Sequence, residues 1–212
     1  MQALFITATS TNVGKTYTTL QLIDILAKQG YKVGVFKPIE TGVTHTPPDA
    51  TALLQACQKV NENFKDLTAF DITAYTFALP AAPFCADTQQ TIRIENIVEK
   101  FHQLSKLCDI LLVEGAGGLL VPITQTYTML DLAKTLQSKV LLVTPSRLGC
   151  INDTLLSIEA LKARNIDFDW CVNLHEDKES FHTVTQPYYD AVFERWWHVA
   201  EGLEKFLQKI FS

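Results

Sequence analysis

The sequence predicts an α/β fold built on a mostly parallel β-sheet with helices on both faces. Short, continuous apolar runs alternate along nearly the whole chain with longer segments of helical periodicity. Strands that are buried on both faces have unbroken apolar sequences, and parallel strands need helical crossovers between them. The chain has 212 residues without an internal repeat or a low-complexity linker, which suits a single domain.

Strand and helix predictions alternate through the first half of the chain. The run ALFITA is short, apolar and bounded by a polar loop, which is typical of a buried strand. The next segment places apolar residues at helical spacing and ends at Gly30, a usual position for a helix end. These patterns predict strands at 3–8 and 32–38, helices at 15–30 and 50–58, and a loop with two prolines at 39–49.

The same alternation continues through the second half of the chain. Residues 61–90 are the least regular part, because Pro80 and Pro83 interrupt any long element. The run DILLVEGAGG predicts a strand that ends at Glu114 and then becomes a glycine turn. The remaining predictions are helices at 94–106, 129–137 and 152–164, strands at 139–145 and 169–174, and a helical tail over 188–211.

Composition and charge exclude several classes of protein. The chain is 47% hydrophobic and 19% charged with a formal net charge of -5, so general attraction to nucleic acid or anionic membranes is not expected. Neither a membrane-spanning run nor a signal peptide is recognisable, and the histidines lack metal-ligand spacing and are interpreted as surface or structural residues. Widely spaced cysteines predict reduced thiols in a cytoplasmic protein; they are Cys57, Cys85, Cys108, Cys150 and Cys171.

Residues 8–16, ATSTNVGKT, match the pattern (A/G)-x-x-x-x-G-K-(S/T), with Ala8, Gly14, Lys15 and Thr16 at its fixed places. Such a loop turns successive backbone N–H groups inward, its lysine reaches the β- and γ-phosphates and its last hydroxyl ligates Mg²⁺. The buried strand before it and the amphipathic helix after it supply the required context. We therefore predict a nucleoside-triphosphate site on a single-domain, P-loop NTPase-like fold over residues 1–212; the alternative is a polar turn with a chance lysine.

The second predicted strand ends in FKPIETG, which places Lys37 at the mouth of the strand. A lysine there can act as a second cation beside a transferring phosphoryl group, although taken alone a surface lysine is the commoner interpretation. Thr41 and Gly42 follow on the same loop. Asp49 then starts a predicted helix, and it could either cap that helix or ligate Mg²⁺.

Glu114 ends the third apolar strand and is followed by the glycine-rich residues 115–118. In P-loop NTPases a carboxylate at the tip of a neighbouring strand is directed at Mg²⁺. The glycines let backbone amides approach an anion closely. The alternative is a glycine-rich turn that carries an exposed glutamate.

Five segments together resemble the dethiobiotin synthetase family, the ATP-dependent enzymes of biotin synthesis. They are TxTxVGKT from Thr9, FKPIETG, YTFALPAAP, LLVEGAGGLLVP and RLGCINDTLL, in the family's order over about residues 1–175. Very many proteins contain a bare P-loop, whereas VEGAGG followed downstream by LGCIN is specific. The residues from about 176 onward do not resemble the family's usual end and are expected to form an atypical helical tail.

The resemblance implies an ATP-dependent cyclo-ligase that carboxylates 7,8-diaminononanoate with CO₂ or bicarbonate. One amine takes up CO₂ as a carbamate, ATP phosphorylates it to a carbamic–phosphoric anhydride, and the second amine closes the cyclic urea of dethiobiotin. Lys15, Lys37 and Mg²⁺ would offset the repulsion between carbamate and γ-phosphate. Ring closure becomes intramolecular once the two amines are held.

The resemblance also implies roles for individual residues. Catalytic roles would fall to Lys37, Lys15 and Thr11, and Mg²⁺ would be held by Thr16, Asp49 and Glu114. The nucleotide would contact Asn12, Val13, Gly14, Lys15, Thr16, Tyr17, Asp49, Glu114, Gly115, Ala116, Gly117 and Asn173. The substrate would contact Thr11, Lys37, Thr41, Gly118, Gly149, Cys150, Ile151 and Asn152.

The segment RLGCIN, residues 147–152, lies between a predicted strand and a predicted helix. In the resembling family it binds the carboxylate of the substrate across a dimer interface, which implies a homodimer here. Gly149 would open a helix whose free N–H groups suit an anion, and Cys150 would be a backbone contact rather than a nucleophile. The alternative is a simple helix cap, with Asn152 as the capping residue.

Departures from the family pattern concentrate on the region of the nucleotide base. Asn173 can still hydrogen-bond a base, but it is followed by Leu174 where the family has aspartate. A later Ile-Pro loop that lines the base pocket has no clear counterpart. Looser discrimination among ATP, GTP and CTP is therefore expected. The other departures are Ala8 for glycine, Asn12 for glutamate, Thr41 for serine and Arg147 for lysine.

Two other classes of protein share the phosphate loop. A ParA-like ATPase switch would carry an additional lysine early in the loop, where residues 9–13 are TSTNV. A cobyric-acid-synthase-like amidoligase would need an appended glutamine-hydrolysing domain, for which 212 residues are too few. ATP hydrolysis that requires the diamine and bicarbonate, rather than DNA or a partner protein, distinguishes the predicted enzyme from both.

Overall fold

The computed structural model describes residues 2–211 and confirms the α/β fold. Its strands are β1 Gln2–Ala8, β2 Val33–Thr41, β3 Thr73–Phe77, β4 Ile110–Gly118, β5 Lys139–Pro145 and β6 Phe168–Asn173. All six are parallel in one sheet of order β3-β2-β4-β1-β5-β6. The direction of winding reverses at β1, which pairs with both β4 and β5, and such a reversal opens a crevice at the carboxyl ends of the strands.

Helices flank the sheet and keep its central strands out of water. Leu4, Phe5 and Ile6 of β1 are fully buried, as expected for an unbroken apolar strand between two helical layers. Within residues 2–211, no helix has both the length and the apolar character needed to cross a membrane. The helices are α1 Lys15–Lys28, α2 Pro48–Gln58, α3 Pro83–Ala86, α4 Ile94–Ser105, α5 Met129–Thr135, α6 Cys150–Ala163, α7 Lys178–Ser180, α8 Gln186–Val192 and α9 Val199–Phe211, with a π-helical turn at Phe181–Thr185.

The prediction that the second strand ends at Pro38 is wrong, because β2 continues to Thr41. Pairing of β2 with β4 stops at Phe36, and the residues beyond it pair with β3 instead. Proline has no N–H to donate, so it is tolerated where the ladder on one side has already ended. The strand β3 itself lies in the segment 61–90, to which the sequence assigned no element.

The prediction of a turn directly after Glu114 is also wrong, because β4 continues to Gly118. After an irregularity in register, Ala8 of β1 pairs with Gly118. A Cβ at Gly118 would lie 2.7 Å from the carbonyl oxygen of Thr9. Only glycine therefore lets β4 come this close to the start of the phosphate loop.

The C-terminal tail is helical at its two ends and extended in the middle, over residues 193–198. The N–H of Val172 in β6 donates to the carbonyl of Trp197 at 2.9 Å, and Val172 also forms a parallel bridge with His198. The Trp197 ring stacks on Phe206 with ring centroids 5.3 Å apart. These contacts hold the extended segment between the sheet and α9, so the predicted helical tail is interrupted at these residues.

Candidate functional site

A cleft of about 1020 Å³ lies at the carboxyl ends of the strands. Its phosphate end is formed by the loop between β1 and α1, together with the ends of β2 and β4. Its base end is formed by residues that follow β6 and by the start of α9. We use the terms phosphate end and base end below for these two parts of the same cleft.

The phosphate loop is held in place by a side chain from the last strand. The Nδ2 of Asn173 donates to the carbonyl of Val13 at 2.9 Å. Gly14 is in the left-handed region with φ 105°, and a Cβ there would lie 2.1 Å from the same Nδ2. Any larger residue would be strained and would push Asn173 away, so the pattern requires glycine at this position.

Lys15 starts α1 and points its ammonium back over the loop, where its Nζ donates to the carbonyl of Ser10 at 3.1 Å. Its pKa is lowered from the usual value to about 8, first by burial and then by the nearby charge of Lys37. Within residues 2–211 this buried ammonium has no direct carboxylate partner, so it favours an anionic ligand, which would stabilise its charged form.

Three charged side chains meet beside this loop. The Nζ of Lys37 lies 2.7 Å from Oε1 of Glu114 and 2.9 Å from Oδ2 of Asp49. Glu114 also accepts hydrogen bonds from the hydroxyls of Thr16 at 2.9 Å and Thr19 at 3.0 Å. Lys37 is 2% exposed and Glu114 is 0% exposed. The alternative interpretations of a surface lysine and an exposed glutamate are therefore wrong.

The opposite charges of this network stabilise one another in their ionised forms. Burial alone would lower the pKa of Lys37, but the charges of Glu114 and Asp49 and their hydrogen bonds outweigh burial and raise it. Burial would raise the pKa of the Asp49 carboxyl, yet Lys37 and the Thr16 hydroxyl hold it below its usual range. Lys37 thus remains a cation and Asp49 an anion at neutral pH.

Glu40, a residue that the sequence did not single out, caps the helix that carries Asp49. Its two carboxylate oxygens accept the backbone N–H groups of Asp49 at 2.8 Å and Ala50 at 2.9 Å. The alternative in which Asp49 caps α2 is therefore wrong: Pro47 occupies the N-cap position and Asp49 lies inside the first turn. The cap leaves the Asp49 carboxylate free to pair with Lys37.

The donor set around Lys37 fits Mg²⁺. Thr16, Asp49 and Glu114 supply hydroxyl and carboxylate oxygens, the ligands that this hard cation prefers, and two of them already share one cation. Mg²⁺ in nucleotide sites is usually held by one or two carboxylates, a phosphate-loop hydroxyl and the phosphates. These three residues would therefore hold the ion beside a bound triphosphate.

Comparison with known proteins identifies the family of the chain. A family model described as an AAA domain matches residues 2–174. The ATP-dependent dethiobiotin synthetase BioD of Sulfurovum sp. (strain NBC37-1) is 69% identical over 210 residues, which cover 99% of this chain and 100% of that protein. The chain belongs to the dethiobiotin synthetase family. The BioD of Wolinella succinogenes is 39% identical over 215 residues and covers 100% of this chain and 99% of its own length.

Solved structures support the fold of this family member. A plasmid partition protein from Borrelia burgdorferi has a TM-score of 0.59 at 13% identity and covers 99% of both chains. A ParA family ATPase from Chlorobium tepidum has a TM-score of 0.53 at 13% identity, over 100% of this chain and 93% of its own. At this level of identity the likeness concerns the fold alone, which is the predicted P-loop NTPase-like fold.

Most of the residues assigned from the family resemblance come together at the cleft. Those that line it are Thr11, Asn12, Gly14, Lys15, Thr16, Tyr17, Lys37, Thr41, Asp49, Ala116, Gly117 and Asn173. Four others are buried around it: Val13, Glu114, Gly115 and Gly118. The catalytic, nucleotide, metal and substrate roles assigned to these residues stay predictions.

The segment 149–152 does not line the cleft of this chain. Gly149, in the left-handed region with φ 93°, is the N-cap of α6, so the alternative with Asn152 as the cap is wrong. Cys150 is fully buried, and its Sγ accepts a hydrogen bond from the hydroxyl of Tyr189 at 3.6 Å. Arg147, before this segment, pairs with Asp153 at 2.8 Å.

Sequence reasoning missed several residues of the site. Thr19 lies one helical turn beyond Lys15, so helical spacing alone could have placed it next to the phosphate loop. The base end gave no comparable signal, because its residues come from an irregular tail. They are Leu174, His175, Lys178, His198, Ala200 and Glu201.

Proposed function

We propose that the chain catalyses the ATP-dependent carboxylation and ring closure of 7,8-diaminononanoate, which gives dethiobiotin in biotin biosynthesis. The observation that carries the proposal is the buried Lys37, bridged to Glu114 and Asp49 beside the phosphate-loop Lys15. A relative 69% identical over its full length, named an ATP-dependent dethiobiotin synthetase, supports this assignment.

The difficult step brings two anions together. The carbamate formed from one amine and CO₂ attacks the γ-phosphorus of ATP through an oxygen, the bond to ADP breaks, and a carbamic–phosphoric anhydride results. Lys15 and Lys37 place two positive charges at the phosphate end, where they offset the repulsion and stabilise charge on the moving phosphoryl group. Their burial strengthens this effect, because surrounding water screens it little.

The second amine then closes the ring. It attacks the carbonyl carbon of the anhydride, phosphate leaves with the C–O bonding electrons, and the amine loses a proton to give the cyclic urea. Thr11 and Thr41 line the same cleft as Lys37 and would hold the diamine or carbamate through their hydroxyls. Holding both amines in this way makes the second attack intramolecular.

Mg²⁺ would be held by Thr16, Asp49 and Glu114, and would supply further positive charge to the β- and γ-phosphates. In the structure the Nζ of Lys37 pairs with the carboxylates of Glu114 at 2.7 Å and Asp49 at 2.9 Å. With Mg²⁺ balancing the charges of Asp49 and Glu114, the Lys37 ammonium would be available to contact the carbamate or the γ-phosphate. Lys37 would thus neutralise the acids before the ligands bind and act on the ligands afterwards.

We further propose a homodimer in which residues 149–152 bind the carboxylate of the substrate held by the other subunit. Two observations support it: this segment forms the first turn of α6, where the helix N-terminus favours an anion, and the neighbouring Leu148 and Leu156 are 78% and 63% exposed. Replacing Leu148 with aspartate should shift sedimentation toward a monomer and raise KM for the diamine, with nucleotide affinity unchanged. A monomeric native protein would contradict this arrangement.

The function is tested by incubating the protein with diaminononanoate, bicarbonate, Mg²⁺ and ATP, and measuring dethiobiotin by mass. Product should form together with one ADP and one phosphate, and ATP hydrolysis should require both the diamine and bicarbonate. Omission of either substrate and the Lys15→Ala variant serve as controls. ATP hydrolysis that responds to DNA or a partner protein instead would indicate a ParA-like switch and contradict the proposal.

A further inference from the structure

The first turn of α2 is held by a side chain from another element. Pro47 is the N-cap of this helix and Pro48 its first residue, so neither supplies a backbone N–H or a capping side chain. The free N–H groups of the turn belong to Asp49 and Ala50, and both donate to the carboxylate of Glu40, at 2.8 and 2.9 Å. The next N–H already bonds within the helix. Glu40 therefore satisfies the whole of this helix end.

Glu40 is not an ordinary helix cap. Helices are usually capped by a serine, threonine, aspartate or asparagine directly before their first turn. Glu40 instead lies nine residues before Asp49, on β2, and is only 4% exposed. Within residues 2–211 it forms no ion pair with a basic side chain. Burying such a carboxylate costs more than a local polar cap would, so capping alone does not account for it.

The contact from Glu40 fixes Asp49 relative to Lys37. Glu40 and Lys37 both belong to β2, where Glu40 accepts the backbone N–H of Asp49 and the Nζ of Lys37 lies 2.9 Å from its Oδ2. One strand thus holds both the backbone and the side chain of the same residue. The Asp49 side chain is 44% exposed, so without these contacts it would be free to turn into solvent. Together they keep its carboxylate at the phosphate end of the cleft.

We propose that Glu40 is a positioning residue for the reaction, which fixes the start of α2 and so presents the Asp49 carboxylate to Mg²⁺. This inference rests on the proposed function, because it concerns the metal ion of the same reaction. Groups that hold a metal ligand in position typically contribute about 10- to 100-fold to metal affinity. Both oxygens of Glu40 are engaged by N–H groups, so its effect passes through Asp49 and we assign it no contact with the substrate.

The experiment measures how strongly Mg²⁺ promotes nucleotide binding. Calorimetry gives the affinity of the native protein and of Glu40→Gln for a non-hydrolysable ATP analogue, once with Mg²⁺ and once with a chelator. In Glu40→Gln one N–H of α2 faces an amide donor instead of an acceptor, so the first turn must shift. The ratio of the two affinities should fall about tenfold in this variant. The affinity in the chelator should not fall, because the phosphate loop is unchanged.

Asp87→Asn is the matched control. Asp87 is 6% exposed, accepts the hydroxyl of Thr91 at 2.9 Å and the N–H of Ile92 at 2.7 Å, and does not line the cleft. Its substitution likewise replaces a buried carboxylate with two hydrogen bonds by an amide. Asp87→Asn should lower the unfolding temperature, as Glu40→Gln should, yet leave the ratio of affinities unchanged. A loss of stability alone would therefore not reproduce the expected effect of Glu40→Gln.

Glu40→Asp separates position from charge. It keeps the negative charge, but the side chain is one methylene shorter and can no longer reach both N–H groups. The ratio of affinities should therefore fall in this variant as well. A native ratio in either Glu40 variant, or an equal fall in Asp87→Asn, overturns the proposal.

These measurements need neither the diamine nor bicarbonate, so they are independent of the overall reaction. If the ratios change as expected but no dethiobiotin forms, the proposed function is wrong and the role of Glu40 in metal binding stands. If dethiobiotin forms and the ratios do not change, the role of Glu40 is wrong and the proposed function stands.

Discussion

The two ends of the cleft are built in opposite ways. At the phosphate end, Lys37 and Glu114 are almost completely buried and each has at least two polar partners. At the base end, Glu201 and Lys178 are exposed and unpaired within the described residues 2–211. The side chains of the phosphate end are therefore fixed by their contacts with one another, whereas the charged side chains of the base end lack such contacts among the described residues.

The difference follows from the cost of burying charge. A buried ion needs its partners in place. Replacing one of Lys37, Glu114 and Asp49 therefore leaves the charges of the others without compensation, which destabilises the folded protein. Replacing an exposed side chain such as Glu201 costs the protein little stability. The phosphate end is thus made of energetically coupled residues, whereas exposed residues at the base end can be replaced singly at little cost in stability.

The largest effect is expected for Lys37→Ala, which removes a cation from the reacting end of the cleft. Turnover to dethiobiotin should fall by roughly 10³-fold or more, because loss of one such group removes charge stabilisation in the transition state. Affinity for nucleotide should remain largely intact, since Lys15 and the loop backbone still hold the phosphates. Steady-state kinetics and calorimetric nucleotide binding measure the two effects separately.

The matched control for this substitution is Lys28→Ala. Lys28 pairs with Asp24 at 2.6 Å on the surface of α1, and both side chains are more than half exposed. Its removal should leave turnover unchanged within error. Near-normal turnover of Lys37→Ala would show that the second cation has been assigned to the wrong residue.

Glu114→Gln tests the buried network through stability. The substitution keeps the shape of the side chain but leaves the Lys37 ammonium with only the half-exposed Asp49 as an anionic partner. We expect the free energy of unfolding in urea to fall by about 3 kcal/mol. Glu62→Gln, which breaks the exposed pair with Lys65, should leave it unchanged within error. Equal effects in the two variants would mean that burial does not make the Lys37–Glu114 pair more costly to break than a surface pair.

Gly202→Ala perturbs the base end alone. A Cβ at Gly202 would lie 2.3 Å from Cε3 of Trp197, the residue that fixes the extended segment beside β6. We expect a loss of about 2 kcal/mol in unfolding free energy, despite the better helix propensity of alanine. Affinity for nucleotide should fall while affinity for inorganic triphosphate is preserved. The exposed Gln208→Ala on the same helix should change neither; a parallel loss of triphosphate binding would show that the two ends are not independent.

The same contrast explains how far the sequence could be interpreted. Lys15, Lys37 and Glu114 were found because each follows a recognisable apolar strand, and parallel strands bring their carboxyl ends to one rim. The end of β2 was placed wrongly because a change of pairing partner, which the sequence does not display, allows Pro38 inside a strand. The sequence did not indicate that Glu201 lies at the cleft. Its position depends on the extended segment that contains Trp197 and on long-range contacts, which local periodicity does not reveal.

The smallest effect concerns the pH dependence of nucleotide binding, which should arise at the phosphate end. Burial and the charge of Lys37 lower the pKa of Lys15 to about 8, whereas bound phosphates would keep it protonated at higher pH. The free protein therefore loses this proton as the pH rises through 8 and the complex does not, so affinity must fall with rising pH. Between pH 7 and 9 the loss should be about tenfold, and at pH 8 binding should take up about half a proton.

Calorimetry in buffers of different ionisation enthalpy measures that uptake, and the terminal phosphate of the nucleotide, which titrates below this range, does not contribute. Lys15→Met should bind more weakly and with no pH dependence over this interval; if it keeps the native slope, the titrating group is not Lys15.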